Sequence, residues 1–277
     1  MIIYLAGMER ISTSRSMSRS IENFDQCNTF YSYFYKSSLE GAIRKDRLVG
    51  KCRVVDSGAH SFFAMTAGIG FPMAAAKSRS INQKKPDFYV RRYIEWIQQR
   101  FEYFDYFVEL DIQELVGYDR VRLWRDWYEK AGIAKKMIWC YHNSNSQKEF
   151  EEMVDKVPSR YVGIEGVRNN RAPLPYNTFI RHAYENKCRI HGFAMVKPVY
   201  LNRYPFYSVD SSTWSYIERT GVRFAHYKGK LINMRDERGV KNYFNAEQRN
   251  RQMIDAMCVN EKMYTEYWKQ RGIEWTL

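Results

Sequence analysis

The sequence has no apolar run long enough to cross a bilayer, no paired-cysteine motif and no HxH or HExxH spacing. The first absence argues against a membrane helix, which needs about 20 consecutive apolar residues. The five cysteines (Cys27, Cys52, Cys140, Cys188 and Cys258) stand singly, so they suggest neither a disulfide framework nor a cysteine-based zinc site. Cys52, Cys140 and Cys188 lie in or beside apolar runs and read as buried thiols, which suits a reducing cytosol. Gly68 and Gly70 lack the third glycine and the strand–helix setting of a dinucleotide fingerprint. The opening MIIYLAG has no basic flank and meets Glu9 and Arg10 at once, so it reads as a core strand and not a leader. A cytoplasmic protein without a membrane partner is the expectation.

Positive charge is abundant. Lys and Arg number 44 against 31 Asp and Glu, a net +13, which favours a polyanionic partner, most simply nucleic acid. Hydrophobic residues make up 45% of 277, ample for one large core. Short apolar or β-branched runs recur at Ile2–Ala6, Tyr31–Tyr35, Arg53–Asp56, Tyr106–Asp111, Met137–Tyr141, Tyr161–Glu165, Arg189–Met195 and Phe206–Asp210. Eight runs, several of them continuously apolar, fit the parallel strands of a closed barrel covered on both faces.

Amphipathic stretches separate many of these runs: Phe88–Tyr103, Asp119–Ala131, and Ser146–Val157, which opens on a capping-box pattern with Glu149. Residues 245–270 read as a long C-terminal helix. The expected fold is therefore a single (β/α)8 TIM-type barrel spanning 1–277. Two basic stretches, 10–20 and 64–86, read as long loops, either solvated or contacting phosphates.

Three aspartates share one context. Asp56 closes RVVD, Asp111 closes YFVELD and Asp210 closes FYSVD, while Glu165 (YVGIE) and His142 (WCYH) end two further strands on the same side. In a barrel, residues just past the C-terminal ends of strands face a common mouth. A carboxylate there also serves to cap a helix or pair with a base, but three after apolar runs point to one pocket. Paired carboxylates suit chemistry at a sugar anomeric carbon, one at C1′ and one on the leaving group's proton. Magnesium or manganese held by these carboxylates and His142 is the competing use, ranked second for want of a histidine motif.

Four stretches, VVDSGAHSFF (54–63), VELDI (108–112), VGIEGV (162–167) and YSVDSSTW (207–214), together resemble the tRNA-guanine transglycosylase superfamily. Within it the chain is most similar to the short phage-type enzymes that place 7-deazaguanines in DNA. The resemblance implies a (β/α)8 barrel that exchanges guanine in a nucleic acid for a free base such as preQ0, with no cofactor. By position, Asp210 matches the nucleophile that attacks C1′, and Asp56 the general acid/base. Asp111 matches the carboxylate that reads the purine N1 and N2 edge. Ser57 and Gly58 match the turn that presents Asp56, and Glu165 and Gly166 the loop whose backbone meets the base.

His60 stands where the family has a stacking ring, and His142 near the place of a base-reading amide. The CxCxxC run of the tRNA enzymes' zinc subdomain is missing, Cys258 being alone in that region, so no metal is expected and DNA is the preferred polymer. The target guanine nucleotide is then flipped out of a duplex or single-stranded. The same exchange on tRNA, an N-glycosidase, and an inactive nucleic-acid-binding barrel are the alternatives. The sequence leaves open a homodimer or an accessory DNA-binding protein and, for a viral enzyme, places the reaction in the host cytoplasm.

Overall fold

A computed structural model describes residues 1–9, 26–67, 85–166, 175–212, 222–227, 230–235 and 246–275. Eight parallel strands close into a barrel in chain order: β1 (Ile2–Ala6), β2 (Asn28–Ser32), β3 (Cys52–Asp56), β4 (Tyr106–Val108), β5 (Met137–Tyr141), β6 (Tyr161–Ile164), β7 (Arg189–Gly192) and β8 (Ser208–Ser211). Pairing of β1 with β8, Tyr4 opposite Asp210, completes the ring. Every residue of β5 and of β6 is buried, as parallel strands covered on both faces require.

Helices follow the strands: α1 (Lys36–Arg44), α2 (Ala59–Ala67), α3 (Pro86–Arg100), α4 (Gln113–Val116), α5 (Tyr118–Lys130), α6 (Gln147–Lys156), α7 (Tyr176–Glu185), α8 (Pro198–Leu201) and α9 (Ala246–Lys269). The capping box of α6 forms, Ser146 Oγ accepting from Glu149 N while Glu149 Oε2 accepts from Ser146 N at 2.6 Å. Two cores result. Tyr4, Phe30, Val54, Val108, Ile138, Cys140 and Tyr161 fill the barrel interior. A larger cluster joins the strands' outer faces to the helices, with Trp124, Tyr93 and Phe150 fully buried. Among the described residues no helix is long and apolar enough to cross a membrane.

The second strand differs from expectation. It lies at Asn28–Ser32, and Tyr33–Tyr35 forms a 3-10 turn instead. At the polar start of β2 two of the side-chain groups find distant partners, while Asn28 Oδ1 has none among the described residues. Asn28 Nδ2 donates to Glu261 Oε2 on α9 at 2.7 Å, and Thr29 Oγ1 to Val49 O at 2.9 Å. Tyr33, expected in a strand, packs against Tyr89, Tyr93 and Trp96 of α3. The stretch expected to be a loop from 64 begins as helix, since α2 continues to Ala67, and 86 already opens α3. The intervening 68–84 and the basic stretch 10–20 lie outside the described residues. An antiparallel hairpin, β9 (Val222–Tyr227) with β10 (Lys230–Arg235), falls between β8 and α9 and was not expected.

Candidate active site

Parallel strands all deliver their C-terminal ends to one side of the barrel, so residues at those ends share a mouth. Asp56 is the last residue of β3, Asp210 lies within β8, and Asp111, His142 and Glu165 follow β4, β5 and β6. Two residues not singled out from sequence join them, Glu9 after β1 and His191 on β7.

The Asp56 carboxylate is aimed by its own turn. Gly58 N–H donates to Asp56 Oδ2 at 2.9 Å. Gly58 has φ +81°, and a Cβ there would stand 2.4 Å from Phe34 Cβ, so both conformation and space demand glycine. Ser57 is fully buried, its hydroxyl donating to Glu109 O at 2.9 Å while its carbonyl accepts from Tyr89 OH at 2.6 Å. The Ser57 side chain thus supports the turn. Burial pushes the Asp56 pKa up to about 8; the Asp111 carboxylate adds to the rise, the Gly58 N–H opposes it, and Asp210 and Glu9 raise it further. The setting therefore favours the protonated form of Asp56.

Asp210 is held differently. Its Oδ1 accepts from Ala194 N–H at 2.7 Å and lies 3.2 Å from His191 Nε2. Ala194 has φ +56°, a conformation that costs a non-glycine residue energy. Here the strained residue turns its N–H to the carboxylate.

His142 stands between two acids, Nε2 lying 3.4 Å from Asp111 Oδ2 and Nδ1 3.4 Å from Glu165 Oε2. Burial works against charge on this ring, but the Asp111 and Glu165 carboxylates outweigh it and push the pKa up to about 9. His142 and Glu165 are buried and Asp111 half-buried, and the three form one cluster beside Asp56. Glu165 also accepts from Asn143 N–H at 2.8 Å, and its carbonyl from Tyr176 OH at 2.9 Å. Gly166 leaves room for the chain beside it, because a Cβ would fall 2.3 Å from Phe193 O. His60 sits exposed on the first turn of α2. Among the described residues no three His, Cys, Asp or Glu side chains form a group able to hold a metal ion.

Beneath the mouth Glu109 and Arg125 form a buried two-point ion pair, at 2.6 and 2.8 Å, and Glu109 Oε1 also accepts from Cys140 N–H. The Arg125 guanidinium lies 4.5 Å from the Trp139 ring centre. The strand β4 ends at Val108, short of the expected Asp111, although Glu109 N–H still donates to Ile138 O of β5 at 3.1 Å. Arg125→Met is expected to cost about 3–5 kcal/mol in urea unfolding, since it leaves a carboxylate buried without its partner. The double variant with Glu109→Leu should recover much of that loss. A single variant as stable as the parent would show that the pair carries no such burden.

Comparison of the sequence with protein-family models and with curated proteins finds no match. The functional reading therefore rests on the site's own chemistry and on the motif resemblance. The sequence signal for Glu9 was present, an acid just past an apolar run, but the basic stretch that follows hid it. His191 and Arg125 gave none, because their partners are brought to them by folding.

Proposed function

We propose that this chain is a base-exchange glycosyltransferase that replaces guanine in DNA with a free 7-deazaguanine of the preQ0 type. The observation that carries the reading is one mouth holding two carboxylates in opposite settings. Burial holds the Asp56 pKa up at about 8, while Asp210 Oδ1 accepts from Ala194 N–H and lies 3.2 Å from His191 Nε2. In the first half-reaction an Asp210 oxygen bonds to C1′ as the C1′–N9 bond of guanine breaks, and the Asp56 proton passes to the departing base. In the second, the incoming base bonds to C1′ through its own N9, losing that proton to Asp56 while the ester to Asp210 breaks. Asp111 reads the base edge, and His142 offsets the charge that Asp111 and Glu165 concentrate there.

The polymer is assigned from charge and motif. The net +13 suits a phosphate backbone, and a cleft of about 520 Å³ between α3 and α5 is lined by Lys85, Arg91 and Arg120. Arg120 is paired to Asp87, leaving Lys85 and Arg91 as the cleft's better candidates for phosphate. The missing CxCxxC run argues against the tRNA branch.

Incorporation of labelled guanine into DNA and into unmodified tRNA, with a chelator present, tests the reading. Exchange into DNA should survive the chelator and fall steeply between about 50 and 200 mM salt. Exchange confined to tRNA would move the chain to the RNA-modifying branch; none into either polymer would remove the activity.

A further inference from the structure

We infer that His191 is the positioning residue of Asp210, and that Ser208 and Tyr161 beneath it hold its ring proton on Nε2, toward the carboxylate. The inference rests on the base-exchange reading for its purpose, but its geometry does not.

His191 is completely buried, on β7 inside the barrel. Its Nε2 lies 3.2 Å from Asp210 Oδ1 and its Nδ1 2.7 Å from Ser208 Oγ, which is in turn hydrogen-bonded to Tyr161 OH. Phe30 stacks on the ring at 5.5 Å with 7° between planes, and Phe193 meets it edge-on at 4.6 Å. Apolar rings thus fix the imidazole plane, and polar groups meet both nitrogens.

Counting protons along this file gives it a direction. A carboxylate oxygen only accepts, so Nε2 donates to Asp210. Nδ1 then accepts, and the hydroxyl beside it, Ser208, donates. Ser208 Oγ accepts in turn from Tyr161, whose phenol burial holds well above its usual pKa and hence protonated. Donation runs from β6 to β8 to β7 and back to Asp210 on β8, each hydrogen used once. His142 is a contrast within the same mouth. It has a carboxylate near each nitrogen and, among the described residues, no hydroxyl bonded to either, the setting of a doubly protonated ring.

The arrangement has a chemical use. With Oδ1 held by Ala194 N–H and His191 Nε2–H, Oδ2 is the oxygen that bonds to C1′, and Oδ1 becomes the ester carbonyl oxygen. When the incoming base displaces Oδ2, the electron pair returns to a carboxylate already facing two donors, with no reorientation needed.

Two measurements test this. Ring nitrogen spectra of protein labelled with ¹⁵N-histidine, which has five histidines, report each tautomer. The His191 signals are identified by their loss in His191→Phe. A pyrrole-type Nε2 and a pyridine-type Nδ1 are expected, with Ser208→Ala disturbing the Nδ1 signal. A protonated Nδ1 overturns the inference, and if His191→Phe fails to fold, Ser208→Ala identifies the signals and decides. Single-turnover formation of the protein–DNA adduct should slow about ten- to a hundredfold in His191→Phe, with KM for the free base unchanged. His191→Gln, which restores an N–H, should recover part of the rate. A parental adduct rate in folded His191→Phe also overturns it. If the parent forms no adduct at all, the base-exchange reading fails, while the tautomer result still judges the hydrogen-bond assignment.

Discussion

Asp210→Asn is expected to abolish guanine exchange, by about three orders of magnitude or more, while leaving the fold and DNA binding intact. The amide is nearly the same size and still offers an oxygen to Ala194 N–H and His191 Nε2. What it lacks is the anionic oxygen that the proposed reaction bonds to C1′. The loss should therefore appear wholly in the rate of adduct formation and not in affinity for polymer. Steady-state exchange, adduct yield on denaturing gels and a DNA-binding titration together check it. A variant that exchanges at the parental rate would remove Asp210 from the chemistry.

Asp56→Asn is expected to slow both base departure and base entry by about 10²–10⁴, because one carboxyl serves both proton transfers. It should also change stability in a pH-dependent way that needs no substrate. Folding raises the Asp56 pKa to about 8, from about 3.9 in an unfolded chain. Between those values the folded protein keeps a proton that the unfolded chain releases, so this group's contribution to stability falls as pH rises from about 4 to 8. Asparagine cannot ionise and escapes the loss. The variant should accordingly exceed the parent by on the order of a few kcal/mol at pH 8.5, with the gap closing toward pH 4.

His142 shifts the same profile in the same direction. Its folded pKa near 9 means a stabilisation complete below about 6.5 and lost as pH rises through 9. The comparison is therefore between variant and parent at each pH, by urea unfolding. A constant difference across pH would show that Asp56 is not held as an acid.

The barrel was legible where strands are buried on both faces. MIWCY at 137–141 is apolar throughout, and its limits match β5. It was illegible where a strand carries polar groups satisfied from far away. Asn28 and Thr29 look like loop residues until Glu261, more than two hundred positions on, and Val49 supply their partners. The hairpin of β9 and β10 was missed because nothing in the eight-strand pattern called for an insertion there.

The mouth divides in the same manner. Asp56 and Asp210 could be read because each follows an apolar run, and such positions share one end of a parallel barrel. His142 was read as a base-reading candidate, yet its setting between Asp111 and Glu165 depends on the neighbouring ends of β4, β5 and β6. The Asp56 pKa could not be read either. It arises from burial and from Asp111, Asp210 and Glu9, which no sequence interval relates.

The central claim is a covalent bond between Asp210 and the nucleotide sugar. It is met most directly by trapping the protein on guanine-containing DNA without added free base, digesting both polymers, and sequencing the modified tryptic peptide by mass spectrometry. The peptide of interest spans 204–219, YPFYSVDSSTWSYIER. A deoxyribose-derived mass increment localised to Asp210, absent in Asp210→Asn and reversed when guanine is supplied, is the predicted result. An increment on Asp56 or on another residue, or exchange proceeding with no adduct under conditions that trap half-reactions, would contradict the account.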